Sequence, residues 1–145
     1  MDALGTHLLL ELEACHAAIL GDVKKIEETL VLAAKKSNAT VVETRFHQFN
    51  PFGVSGVVVI AESHLTIHTW PEHSYAAVDI FTCGEALQPM VASDYLIRKF
   101  QSERSSIFEL RRGPFSMKSH RVQEKHLTHG DEKPDVFRKV LQVVR

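Results

Sequence analysis

Residues 53–84, GVSGVVVIAESHLTIHTWPEHSYAAVDIFTCG, contain three strand-like runs separated only by turns. Residues 54–61 form the most hydrophobic run and are too short for a helix between breakers, so a central strand is expected there. In residues 64–70, His64, Thr66, His68 and Trp70 alternate with Leu65, Ile67 and Thr69, and Pro71 ends the run. Residues 75–83 alternate as well, with Tyr75, Ala77, Asp79, Phe81 and Cys83 on one face and Ala76, Val78, Ile80 and Thr82 on the other. Three strands are therefore expected in succession, joined by short turns.

Upstream, residues 39–49 are rich in β-branched side chains and alternate, giving another strand that Asn50-Pro51-Phe52-Gly53 stops. Residues 22–36 change period: Val23, Ile26, Leu30 and Ala33 recur at three and four residues. That pattern predicts a helix, with Asp22 as its cap and Ser37-Asn38 at its end. Residues 4–13 alternate again, with Leu8, Leu10 and Leu12 on one side. Downstream, Pro89 suits the first position of a helix whose apolar residues in 90–101 are Val91, Leu96, Ile97 and Phe100, and a strand over 106–111 follows.

Residues 118–134 are polar and carry His120, His126 and His129, so a solvated loop is expected there, followed by a short amphipathic helix over 135–144. The order β-α-β-β-β-β-α-β predicts an α+β two-layer sandwich, a mainly antiparallel sheet with two helices packed on one face. The other sheet face, with its His, Trp, Tyr and Phe side chains, needs a cover, and a second copy of the chain supplies one as a homodimer. The expected division is a domain over 1–122 and an extension over 123–145.

A chain of 145 residues with 44% hydrophobic residues can bury one core without metal or disulfide staples. With 17 basic and 18 acidic side chains and a net charge of -1, nothing global attracts nucleic acid or an anionic membrane. No run approaches the roughly 20 apolar residues of a membrane span, and no secretory leader is evident, so the cytoplasm is expected. Cys15 and Cys83, with no CxxC spacing, read as free thiols.

Nine histidines invite a metal reading. His64 and His68 share a strand face, but four residues at ~3.3 Å each set them about 13 Å apart, too far for one zinc with Zn–N of about 2.0 Å. No metal is expected. GVSGV at 53–57 lacks the spacing of a nucleophile elbow and enters a strand, and no glycine-rich run opens a helix to cradle phosphate.

ESHLTIHTWPE followed by YAAVDIFTCG, and preceded by GVSGVVVI and LGTHLLLELEAC, resembles the prokaryotic-type S-adenosylmethionine decarboxylase proenzymes. The likeness runs from Leu4 to Gly84 and continues more weakly to Lys118. Ser74 departs from it, standing where the family commonly has glycine.

The resemblance implies a chain that cuts itself between Glu62 and Ser63 into 1–62 and 63–145 and converts Ser63 into a covalent pyruvoyl cofactor. Its ketone would form a Schiff base with the amine of S-adenosylmethionine and accept the electrons released by CO₂ loss, giving the aminopropyl donor for polyamine synthesis. In this reading Ser63 sits at a turn with His68 and Cys83 nearby. His68 is the processing base, Ser55 supports ester formation, and Cys83 returns a proton to the substrate, as a thiol of ordinary pKa about 8.5 can at neutral pH. Phe49 and Trp70 are expected to sandwich the adenine and Glu72 to hold the ribose hydroxyls. The same chemistry on arginine or ornithine, or an unprocessed binding or regulatory homologue, are the alternatives.

Overall fold

The computed structural model describes residues 4–83 and 86–113, together with the backbone of 124–126 and 135–141. The elements are β1 (Gly5–Glu13), α1 (Ala17–Leu20), α2 (Val23–Lys36), β2 (Val41–Gln48), β3 (Val54–Ile60), β4 (Ser63–Trp70), β5 (Tyr75–Cys83), α3 (Pro89–Lys99), β6 (Arg104–Arg112), β7 (Glu124–His126) and β8 (Asp135–Leu141). One sheet runs in the order β2-β3-β4-β5-β1-β6-β8-β7. Neighbours from β2 to β6 are antiparallel, and β8 runs parallel to β6.

Alternation sorts the strands into two faces. Leu8, Leu10, Leu12, Val58, Leu65, Ile67, Val78, Ile80 and Ile107 point inward and are buried against Leu20, Ile26, Leu30, Leu96 and Phe100 of the helical layer. The Asp22 carboxylate accepts from the backbone N–H groups of Lys24 and Lys25 at 3.1 and 3.2 Å, satisfying two of the first-turn donors of α2. Ser37 is its C-cap, and Asn38 follows with a φ of 69°. Cys15 is buried in the same core; loss of solvation pushes its thiol up to about 11, and it stays protonated.

The two-layer α+β expectation holds, with three refinements. The short helix α1 was not anticipated, because four residues carry too little periodicity. The hydrophobic strand β3 has neighbours on both sides but lies one strand from the sheet edge, beside β2. At this edge Phe46 lies across Gly56, where a Cβ would come within 2.0 Å of its ring.

The third is a correction. Asp135–Leu141 is a strand on the edge of β6, where a helix over 135–144 was expected, and Glu124–His126 pairs with it inside the expected loop. The order Val136-Phe137-x-x-Val140 fits either period, and an open backbone edge at β6 favours the β-branched and aromatic reading. Residues 142–144 of the expected helix, and His120 and His129, lie outside the described residues. Among the described residues, no helix is long and apolar enough to cross a membrane.

Candidate active site

The β3–β4 hairpin closes on Ile60 and Ser63, leaving Ala61-Glu62 as its two-residue loop. Two contacts tie this loop to the start of β2. Ala61 N–H donates to the Thr40 carbonyl at 2.9 Å, and Thr40 N–H donates to Glu62 Oε2 at 3.1 Å. A third ties it to the end of β5, where Cys83 N–H donates to the Glu62 carbonyl at 2.9 Å. The carbonyl of the Glu62–Ser63 peptide bond is therefore held and polarised by a fixed backbone donor.

Ser63 has a φ of 145°, a region that side-chain-bearing residues avoid. In an L-residue Cβ lies about 120° from C around the N–Cα bond, so this φ leaves Ser63 Cβ only about 25° from eclipsing the Glu62 carbonyl carbon. An ordinary strand φ turns Cβ away from that carbon. The strain, on the order of 1–3 kcal/mol, thus has a chemical meaning: it swings the Ser63 hydroxymethyl toward the preceding carbonyl. Ser63 Oγ also lies 3.3 Å from Nδ1 of His64.

At the other end of β4, Ser55 Oγ and His68 Nδ1 are hydrogen-bonded at 2.7 Å across the β3–β4 ladder. They open onto a cleft of about 390 Å³ lined also by Phe49, Phe52, Gly53, Thr69, Trp70 and Glu72. Phe49 is 48% and Trp70 39% exposed, so ring surface of both is free for a ligand. Gly53, with a φ of 95°, makes the turn that carries the chain past this cleft. Ser74, which ends the 3₁₀ turn Pro71–His73, adopts a left-handed φ of 49°, the conformation for which glycine is the ordinary choice.

The sequence-nominated residues therefore form two groups. Glu62, Ser63 and Cys83 meet at one end of β4, and Ser55, His68, Phe49, Trp70 and Glu72 meet at the other. Five residues of strand from 63 to 68, at ~3.3 Å each, separate them by about 16 Å. The expectation that His68 lies near Ser63 is not met within one chain.

Between the groups the outer face is polar. Thr66 Oγ1 donates to Asp79 Oδ2 at 2.9 Å, and His7 Nε2 is 3.6 Å from Asp79 Oδ1. His7 and then Thr66 hold the Asp79 carboxyl below the usual carboxylate range. Burial, and then the charge of His7, push His64 below the usual imidazole range, with Arg112 acting the same way and Asp79 opposing. Tyr75 hydroxyl donates to Glu11, and burial followed by this bond raises the phenol. Sequence reasoning anticipated neither the Ser63–His64 contact nor the Cys83 amide at the Glu62 carbonyl. The adjacent Ser63-His64 pair was the available signal for the first; a backbone donor leaves none.

The family model described as S-adenosylmethionine decarboxylase matches residues 6–113. An S-adenosylmethionine decarboxylase proenzyme of Thermodesulfovibrio yellowstonii is 55% identical over 125 residues, covering 86% of this chain and 93% of that protein. One from Caldanaerobacter subterraneus is 53% identical over 115 residues, covering 79% and 93%. Among solved structures, the crystal structure of the adenosylmethionine decarboxylase from Aquifex aeolicus superposes with a TM-score of 0.75 at 37% identity, covering 83% of this chain and 100% of that one. With the family model matching residues 6–113, relatives above 50% identity and a superposable fold, the chain belongs to the S-adenosylmethionine decarboxylase family.

Proposed function

We propose that the chain is a self-processing, pyruvoyl-dependent decarboxylase of S-adenosylmethionine that makes the aminopropyl donor for polyamine synthesis. The observation that carries this reading is the Glu62–Ser63 bond, where a strained φ of 145° turns the serine side chain onto a carbonyl already hydrogen-bonded by Cys83 N–H. Ser63 Oγ attacks the Glu62 carbonyl carbon, the Cys83 amide stabilises the resulting oxyanion, and the C–N bond breaks to leave an ester and a free Ser63 amine. A base then removes the Ser63 α-proton and the Cβ–O bond breaks. The Glu62 carboxylate leaves with residues 1–62, and water converts the remaining dehydroalanine into pyruvoyl and ammonia.

The chain retains the serine from which such a group is made, in the backbone conformation its formation needs. Once formed, the pyruvoyl group supplies an electron sink for decarboxylation. Cys83, exposed beside residue 63, donates the proton that the substrate carbon then takes up. Phe49 and Trp70 hold the adenine between their rings, and Glu72 accepts from the ribose hydroxyls.

A second copy of the chain reconciles the two groups of residues. In a dimer built outer face to outer face, a two-fold axis lying between the sheets and running across the strands near Thr66 exchanges the two ends of β4. Ser63 of one chain then faces the Ser55–His68 pair and the aromatic cleft of the other. His68 acts as the elimination base in this arrangement, and Ser55, hydrogen-bonded to its ring, supports the ester step. The working enzyme is a dimer of cleaved chains with two sites, each built from both copies.

Intact mass of the purified protein tests the reading first. Two fragments split before residue 63, the larger with a blocked N-terminus, are expected, and a chain that stays whole sinks it. Measuring CO₂ release from S-adenosylmethionine, arginine and ornithine then decides the substrate, with turnover of the first alone expected.

A further inference from the structure

The reading above leaves one proton unassigned. Attack by Ser63 on the Glu62 carbonyl requires that its hydroxyl lose a proton, and that proton must reach the departing Ser63 nitrogen for the ester to form. His68 of the same chain lies about 16 Å along the strand, and the second copy's His68 is engaged by the α-proton step. Among the described residues, the side chain hydrogen-bonded to the Ser63 hydroxyl is His64, with Nδ1 3.3 Å from Oγ.

We propose that His64 is the general base and acid of the acyl shift: its Nδ1 takes the Ser63 hydroxyl proton as Oγ attacks and delivers it to the Ser63 nitrogen as the C–N bond breaks. The assignment rests on the self-processing reading and divides its two steps between two histidines. His64 makes the ester, and His68 eliminates it. The proton balance closes, since the proton leaving oxygen arrives on nitrogen and the imidazole ends as it began.

Three features fit the role. The ring is held by packing, edge-on to His7 with centroids 6.4 Å apart and edge-on to Phe81 at 5.8 Å. The opposing groups are those a neutral base needs: His7 from β1 and Arg112 from β6 disfavour a charged imidazole, as does burial, against Asp79 from β5 alone. With its ring proton on Nε2, Nδ1 is the acceptor. The Cys83 amide meanwhile stabilises the oxyanion that forms as the proton leaves.

The experiment follows full-length chain from cell-free synthesis and compares wild type, His64→Gln, His64→Asn, His64→Ala and His68→Ala. Each His64 variant should cleave at least 10²-fold more slowly than wild type, within the range that loss of a general base produces. The uncut His64 chains should resist hydroxylamine because they remain amides, whereas uncut His68→Ala should be split by hydroxylamine because it stops at the ester. Added imidazole should speed His64→Ala and leave His64→Asn slower than wild type. Melting temperatures near that of uncut Ser63→Ala separate these effects from misfolding, and the Gln and Asn variants supply two fillings of the same space. Cleavage of both at close to the wild-type rate, or a hydroxylamine-sensitive bond in either, overturns the assignment alone. A wild-type chain that stays whole overturns the self-processing reading and this assignment with it.

Discussion

The backbone N–H of Cys83 donates to the carbonyl of Glu62 at 2.9 Å, while the Cys83 side chain is exposed beside the same bond. One residue thus offers two different groups to two different reactions. In the proposed function the amide serves chain cleavage and the thiol serves turnover. Cys83→Ala keeps the amide, so it should still split before residue 63 with a half-time close to wild type. Its decarboxylation should fall by about 10²-fold or more through loss of the proton donor. Mass spectrometry of the chain and CO₂ release measure the two separately, and full activity in this variant rejects the thiol's role.

Backbone strain at residue 63 is measurable in chains that cannot cut themselves. Ser63→Ala and Ser63→Gly both lack the attacking hydroxyl, but only alanine must carry a Cβ at a φ of 145°. Relief of the eclipsed Cβ, partly offset by the greater unfolded-state freedom of glycine, should make Ser63→Gly more stable than Ser63→Ala by about 1 kcal/mol. Equilibrium denaturation of the two uncut chains checks this. Equal midpoints with equal slopes would mean that the turn relaxes at no cost.

Much of this fold was legible because its strands have one buried face. Leu8, Leu10 and Leu12, or Val78 and Ile80, announce a period of two, and Ile26, Leu30 and Ala33 a period near 3.6. Residues 135–144 were misread because Val136, Phe137 and Val140 satisfy both periods and only the open edge of β6 decides between them. The site was harder for a different reason. The motif names Ser63 and His68 together, yet the spacing that keeps His64 and His68 from sharing a metal also keeps Ser63 and His68 apart. Nor does any side-chain pattern mark the Cys83 amide or a φ of 145°.

Ser74 offers a smaller test of the same backbone logic. It holds a left-handed φ of 49° at the turn after Glu72, where an L side chain costs roughly 1–2 kcal/mol. Ser74→Gly should therefore raise the unfolding midpoint, since glycine adopts this conformation without a Cβ clash. Its cleavage before residue 63 should be unchanged, because glycine holds the same left-handed turn and the Ser55–His68 hydrogen bond is made without Ser74. A lowered midpoint would show that the Ser74 side chain contributes more than its strain costs.

His64 should also leave a mark on stability against pH. Burial, His7 and Arg112 lower its proton affinity in the folded chain, with Asp79 in opposition. The unfolded chain, with an ordinary imidazole near pKa 6.5, therefore binds more protons as the pH falls through that value. Stability is fully present above about pH 6.5 and declines as the pH falls toward the lowered folded value. Urea unfolding of uncut Ser63→Ala at several pH values should show this loss, and adding His64→Gln should reduce it. Asp79, whose carboxyl is also lowered, adds a separate loss only below its ordinary value of 3.8. An identical pH dependence in both chains would remove His64 as a contributor.

The proposed division of the site between copies makes a prediction that no single-chain site can meet. Ser63→Ala lacks the attacking group, and His68→Ala lacks the elimination base, so neither homodimer should form the blocked 63–145 chain. In a mixed dimer one site combines Ser63 from the His68→Ala chain with His68 from the Ser63→Ala chain and is complete, while the other lacks both. Co-expression should therefore release fragment 1–62 from the His68→Ala chain and leave every Ser63→Ala chain whole, which a mass tag on one partner resolves. If His68 acted on Ser63 within one chain, across the roughly 16 Å of strand between them, mixing would rescue nothing. Rescue confined to the His68→Ala chain supports the dimeric site, and absence of rescue in dimers that have demonstrably exchanged subunits refutes it.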